Sequence, residues 1–338
     1  MSGRLFACAL LACACLAPAA RAQTPTQQQP ATSASPAPPT SAASPVPQAS
    51  PTPAPIPDVD IFVVELTNRA GALAFGRPVN ITSRAGYDNQ PSFLPDGQSL
   101  LYTSQRDGRQ TDIYRYDLQT GAHTQLTATP ESEYSPTVMP AGKTFSVVRV
   151  EADKTQRLWQ FPLAGGAAAL TLENVKPVGY HLWLDARTLA LFVLGEEATH
   201  QPHTLQLVTL AKDRPQAVEV STLHVNIGRS LQRVPGRGQV FSFVHKVTPD
   251  NWVIKLVDVA AHKTTTLTQT LPGSEDLTWL PDGSLLMARG AKLYRLDPAR
   301  APDWREAADF TAAGLTNITR LALSPRGDRL ALVAQPAK

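Results

Sequence analysis

Cysteine is almost missing from this chain of 338 residues: there are three, Cys8, Cys13 and Cys15, all within the first 22 positions. The remainder therefore has no disulfide, no thiol nucleophile and no cysteine metal ligand, and a body of about 280 residues is large enough to be held by its own core. Also absent is an apolar run long enough to span a bilayer, since the stretch from Leu5 to Leu16 falls short of the roughly 20 residues a membrane helix needs. With Arg4 ahead of that run and Ala20-Arg21-Ala22 behind it, residues 1–22 read as a secretory signal peptide, cut after Ala22 so that the mature chain starts at Gln23 with no transmembrane span.

Charge is missing from Thr24 to Pro57, where eleven prolines occur in 34 residues among Ala, Ser, Thr and Gln. Such a composition builds no core, and residues 23–57 are expected to form a flexible tether, reaching about 100 Å as polyproline at roughly 3.1 Å per residue. A strong basic bias is missing as well. Without Arg4 and Arg21 the mature chain carries 29 basic against 28 acidic side chains, and no basic stripe marks a nucleic-acid surface, so nucleic acid is not an expected partner. Within the signal, "LLAC" from Leu10 to Cys13 resembles the lipobox of bacterial lipoproteins, which implies an alternative route: lipidation of Cys13 and an outer-membrane anchor in place of a free mature chain. By either route the expected location is the periplasm, or outside the cell, in a bacterial envelope.

What is present is a repeat. "FLPDGQSLLYT" around Pro95 recurs as "VMPAGKTFSVV" at Pro140, "WLDARTLALFV" at Asp185, "RVPGRGQVFSF" at Pro235, "WLPDGSLLMAR" at Pro281 and "LSPRGDRLALV" at Pro325, with steps of 45, 45, 50, 46 and 44 residues. A period of this length belongs to solenoids or propellers. Each turn is followed by a short apolar run and then by an alternating strand such as "DIYRYDL" at Asp112 or "RLWQFPL" at Arg157, and only the short "DWREAADF" near Trp304 looks helical. The expected fold is all-β: a six-bladed β-propeller over residues 58–338 with four-stranded blades. The last repeat stops after two strands, so two N-terminal strands, "DIFVVEL" at Asp60 and "RPVNIT" at Arg77, are expected to join two C-terminal ones and close the ring.

Two residues before each turn stand Phe93, Val138, Trp183, Arg233, Trp279 and Leu323. Five are apolar and are assigned to packing between blades. Arg233 is either a surface or salt-bridged accommodation in the long fourth repeat or a functional placement.

"PSFLPDGQSLLYTSQRDGRQTDIYRYDLQTGAHTQLT", Pro91 to Thr127, resembles the repeat of TolB-like β-propellers (the PD40 or WD40-like type), including Ser104-Gln105-Arg106-Asp107-Gly108 after the second strand and the closing Leu126-Thr127. The second and fifth repeats keep the pattern, while the third and fourth depart from it. The resemblance implies an envelope scaffold that binds protein. The small α/β domain that precedes the propeller in TolB has no counterpart, its place being taken by the tether, so TolB's own partners are not carried over. Similar repeats form the non-catalytic propeller of prolyl-oligopeptidase-like peptidases, but no hydrolase domain accompanies them in these 338 residues.

The beginnings of the six first strands are the positions that separate blades bring together, and a ligand or partner is expected there: Asp88, Asn89, Glu133, Tyr134, Tyr180, His181, Arg229, Glu275, Asp276, Asn317 and Arg320. With Tyr87, the tyrosines at 134 and 180 form either an aromatic contact surface or ring-edge packing. Arg229 and Arg320 beside Glu275 and Asp276 either hold a carboxylate or pair with one another. The leading expectation is a binding or scaffolding propeller for an envelope protein or peptide, with no catalytic residue and no cofactor. The alternative is a channel-mouth enzyme, either a Ca2+-dependent lactonase-like hydrolase using oxygens of Asn89, Glu133, Asp276 and Asn317, or a sugar lyase using His181, His200 and His203 on a transition metal. His200 and His203 follow Glu196 and Glu197 in a loop between strands that does not fix both rings on one point, so a solvent-exposed polar loop is the simpler expectation. No Gly-x-Ser-x-Gly elbow occurs, and "VPGRGQV" lacks the Lys-Ser/Thr of a phosphate loop.

Overall fold

A computed structural model of the chain describes residues 57–69, 72–106, 108–212, 215–301 and 303–336. The expected signal peptide, Cys13 and the expected tether up to residue 56 lie outside the described residues. From Asp60 onward the chain forms six antiparallel sheets in sequence order, and the first strands of neighbouring sheets contact one another around a ring. These inner strands are Tyr87–Phe93, Ser132–Val138, Val178–Trp183, Ile227–Arg233, Leu277–Trp279 and Leu315–Leu323, for blades one to six.

The turn letters act as their chemistry requires. In blades one and five, Gly97 and Gly283 adopt φ of 67° and 83°, a region costly for other residues. Ahead of them Asp96 and Asp282 accept from the amides of Gln98 and Ser284, which fixes the hairpin between first and second strand. Each second strand is apolar on both sides because a blade lies on each face: Ser99–Gln105 and Thr144–Val150 are buried along nearly their whole length. The core is consequently divided. Six hydrophobic clusters occupy the six gaps between successive blades, and the gap between blades six and one holds Ile61, Leu100, Tyr102 and Val333.

Ring closure uses both termini of the repeat array, with Asp60–Arg69 pairing Arg329–Pro336 from Asp60↔Ala334 to Glu65↔Arg329. The fourth position of that blade differs from expectation. Instead of one strand at "RPVNIT", two short pieces share it: Ala72–Phe75 pairs Leu66 to Arg69, and Val79–Asn80 pairs Phe62 and Val63. The cause is length, because the ten-residue closing strand runs beyond its partner and folds back on itself before the chain reaches Val79. "DWREAADF" is not helical either. Arg305–Asp309 is the outer strand of blade five, pairing Lys292 to Arg295, and only the single turn Thr311–Ala313 follows.

The packing layer two residues before each turn is filled as expected by buried Phe93, Trp183 and Trp279 and by partly buried Val138 and Leu323. Arg233 instead reaches back to blade three, donating to the carbonyls of Trp183 and Leu184, and also to Gly238 in its own turn. It replaces an apolar contact between blades by a polar bridge to backbone. We expect Arg233→Leu to lower stability by about 1 kcal/mol, a fall of roughly 2 °C in Tm for a domain this size, readable by calorimetry.

Candidate binding channel

The inner strands are not regular at the end where they begin. Five of the six pair with their second strands through a register shift, between Asn89/Ser92, Tyr134/Thr137, Val178/Tyr180, Ile227/Leu231 and Thr316/Arg320. Such bulges leave strand amides unpaired and turn side chains sideways. Gln90, Ser135 and Asn317 take positive φ there, and Pro91 and Pro136, which have no amide to lose, follow the first two.

Inner-strand amides are met by side chains from the preceding blade. Gln90 Oε1 accepts from the Ser135 amide at 2.8 Å, Ser230 Oγ from Leu277 at 3.3 Å, and Asp276 Oδ1 from Leu321 at 2.9 Å. Asp276 is thus one of three side chains that clasp one inner strand to the next.

Long side chains then cross the ring. The Arg320 guanidinium on blade six donates to the Tyr180 hydroxyl of blade three, directly opposite, at 2.7 Å, and stands over that ring with its carbon 5.0 Å from the centroid. Its other nitrogen lies 3.5 Å from Asp276 of blade five. Arg229 of blade four pairs with Glu275 and donates to the Thr319 carbonyl at 3.2 Å, while Lys246 holds the second Glu275 oxygen at 2.8 Å. Burial acts to raise Glu275, but Arg229 and Lys246 outweigh it and hold the carboxyl below its ordinary value. For Asp276 burial prevails over Arg320 and Arg229, and its pKa is raised. Tyr87 is pushed up to about 12 by burial, in the field of Arg320, Tyr180, Tyr134 and Arg229. Side chains from blades three to six interlock at this level, with Tyr87 of blade one and Tyr134 of blade two close by.

The other expected site residues are fixed within or between blades. Asp88 is fully buried and receives Arg84 at 3.1 Å; burial raises its pKa against the pull of Ser104 and Arg84. Asn89 Oδ1 caps the Gln90 amide at 2.7 Å. Glu133 accepts from Thr129 at 2.5 Å and from Arg149 at 3.0 Å. Tyr134 packs half-buried on the cluster between blades two and three. His181 is buried against blade two, its Nε2 2.7 Å from Ser146 Oγ, and burial lowers its pKa to about 3. His203 accepts from the Gly195 amide, and His200 is an exposed loop residue, so the three imidazoles do not converge.

Two cavities take up part of this set. Tyr180, His181, Arg229, Asp276 and Arg320 line a channel of about 800 Å³ that extends from the Arg320–Tyr180 strut to the turns at Pro235, Pro281 and Pro325. Arg229, Glu275, Asp276 and Asn317 border a smaller space of about 220 Å³ between blades five and six. Asp88, Asn89, Glu133 and Tyr134 line neither. The oxygens proposed for calcium are therefore not gathered, since Asn89 and Glu133 stand apart from Asp276 and Asn317. Among the described residues no group of three His, Cys, Asp or Glu side chains is placed to hold a metal ion. No helix among them is long and apolar enough to cross a membrane.

Reading the repeats missed one element of this architecture that they do record. Trp183 donates to Ser146 Oγ and Trp279 to Ser242 Oγ, both at 2.9 Å and both across 37 residues into the preceding blade. Tryptophan follows only where the blade before supplies serine, and that spacing is visible in the sequence.

Residues 57–174 match the family model described as the TolB beta propeller domain. No curated protein matches the sequence at a significant level. Among solved structures, a TolB-type protein of Agrobacterium tumefaciens is similar with a TM-score of 0.62 at 15% identity, covering 83% of this chain and 99% of that one. TolB of Acinetobacter baumannii gives 0.51 at 15% identity, covering 82% of this chain and 65% of that one. A gluconolactonase of Xanthomonas campestris gives 0.55 at 11% identity, covering 84% and 98%. With its repeats of about 45 residues, its six four-stranded blades and the matched propeller segment, the chain is a TolB-like six-bladed β-propeller of PD40-type repeats.

Proposed function

We propose that the protein is an exported, non-catalytic propeller that presents its channel and surrounding rigid surface to an envelope protein or peptide. The observation that carries this reading is the state of the charged groups at the strut: Asp276, Arg229 and Arg320, with Glu275 behind them, are already paired with one another, with Lys246 or with backbone, which makes a fixed wall. Export rests on residues 1–22, with the tether giving the propeller reach and Cys13 as the residue that lipidation would anchor at the outer membrane.

The test is recovery of partners from envelope extract by the full chain, compared with a Tyr134→Ala/Tyr180→Ala variant whose fold is checked by circular dichroism. A partner retained by the parent and lost with the tyrosines is the expected result. If the parent enriches nothing, the binding role fails.

A Ca2+-dependent lactonase-like enzyme is the second reading, favoured by likeness of fold to the gluconolactonase. It requires Ca2+ to raise Tm. We expect millimolar Ca2+ to leave Tm within about 1 °C, since two of the four candidate carboxylate and amide groups lie away from the others.

A further inference from the structure

We infer that the channel takes an acidic peptide segment, admitted from the end where the first and second strands turn. The inference rests on the binding role proposed above and adds the partner's chemistry and its direction of entry.

Charge is the first argument. Arg229, Arg233, Arg237 and Arg320 line the cavity, against Asp276 as its one lining carboxylate. At depth the charges are balanced, because Arg320 faces Asp276 and Arg229 faces Glu275. Toward the turns they are not. Arg233 is spent on carbonyls, which leave its charge unneutralised, and the Arg237 side chain has neither a hydrogen bond nor an ion pair among the described residues. Aspartates of neighbouring turns do not cancel this: Asp282 is paired with Arg295 and Asp328 with Arg326, and Asp96 and Asp185 do not line the cavity.

Access is the second. At the strand-start end the Arg320–Tyr180 strut crosses from blade six to blade three, and Arg229 reaches the Thr319 carbonyl from blade four. The opposite end is bordered by turn residues, with Arg237 between Gly236 and Gly238, so a ligand entering there meets the free cation first.

The walls suit a peptide. Between the arginines stand Pro91, Pro136, Leu182, Trp279 and Leu323, which match the apolar side chains of an extended peptide, and Gln90, Ser92, Thr137 and Gln232 beside them can pair with its backbone. A sugar chain would use only the latter, and competition by oligogalacturonate separates the two. Ser135 Oγ and His181 Nδ1, on wall residues more than nine-tenths buried, have no hydrogen-bond partner among the described residues. The chain's own tether has no acidic residue from Thr24 to Pro57 and is not the complement.

The experiment is fluorescence anisotropy on the full chain with a labelled nine-residue peptide of Glu-Pro-Leu repeats, its Gln-for-Glu and Lys-for-Glu counterparts, and oligogalacturonate as unlabelled competitor. The acidic peptide is expected to bind, to weaken with added salt, and to lose roughly tenfold in affinity in Arg237→Glu but little in Arg237→Lys. Equal binding of the Gln peptide, indifference to Arg237→Glu, or displacement by oligogalacturonate at lower concentration than by unlabelled acidic peptide would each overturn the inference. If no peptide binds while the envelope pull-down still yields a tyrosine-dependent partner, this inference fails and the binding role stands; if both experiments are blank, both fail.

Discussion

Arg149→Met is expected to destabilise the propeller by about 3–5 kcal/mol, the range for breaking a buried ion pair from one side. Glu133 is fully buried and Arg149 nearly so, 3.0 Å apart, with Thr129 also donating to that Glu133 oxygen. The second Glu133 oxygen has no hydrogen-bond partner among the described residues. The arginine also stands over Trp159 and Phe161, 4.5 and 5.2 Å from their centroids, so Met retains the packing volume but neither the charge nor the cation–π contact. Burial already raises the Glu133 pKa against Arg149's pull, and removing Arg149 raises it further. A carboxyl whose folded pKa lies above its unfolded value gives stability that is present below the unfolded pKa and lost as pH rises through the folded one. The variant's deficit relative to the parent should therefore shrink from pH 7 toward pH 4 in urea titrations. Glu133→Leu added to Arg149→Met should recover most of the loss at pH 7, because no buried charge then remains. A double variant no more stable than the single one would show that the pair is not what Arg149 supports.

Glu133 also illustrates which parts of this protein its sequence discloses. The frame is written in short range and repeats: a Pro-Asp-Gly turn sets a hairpin, an apolar run sets a strand covered on both faces, and their recurrence about every 45 residues sets a ring. Where each inner strand begins is equally legible, so Tyr180, Arg229, Asp276 and Arg320 could be assigned to one place. Their roles could not. Arg320 meets Tyr180 from 140 residues away because a ring places blades three and six opposite, and an arginine is long enough to cross; neither fact has a local signature. Asp276 looks like a metal or ligand oxygen until the bulge in the next inner strand is seen, whose Leu321 amide it satisfies. The split closing strand was hidden for a related reason. "RPVNIT" located Val79 and Asn80, but nothing in the repeat records that the closing strand is ten residues long and has its own return piece.

The second large effect is at Ser146, where one hydroxyl serves two buried side chains and lies 3.3 Å from the Thr137 carbonyl. Trp183 Nε1 donates to it at 2.9 Å, and His181 Nε2 lies 2.7 Å away, so Ser146→Ala leaves two buried polar groups unmatched and should cost about 2–4 kcal/mol. Ser242→Ala is the internal control, since its hydroxyl serves Trp279 and the Gln232 carbonyl just as Ser146 serves Trp183 and the Thr137 carbonyl, but with Leu277 and no imidazole in the place of His181. It should cost about half as much, and the pH dependence of stability should remain that of the parent. His181 makes the Ser146 site different. Burial lowers its pKa from the ordinary 6.5 to about 3, so between those values the unfolded chain binds a proton that the folded one refuses. Stability then rises with pH across that window and is lost as pH falls from 6.5 toward 3; between pH 7 and pH 5 this histidine alone accounts for about 2 kcal/mol. Asp88 and Asp276, raised by burial, act in the opposite direction at lower pH, so the comparison with His181→Gln isolates the imidazole. That variant should lose about 2 kcal/mol less than the parent between pH 7 and pH 5. Equal losses would mean that His181 is reached by solvent and protons in the folded propeller, and the wall between blades two and three would then be open rather than closed.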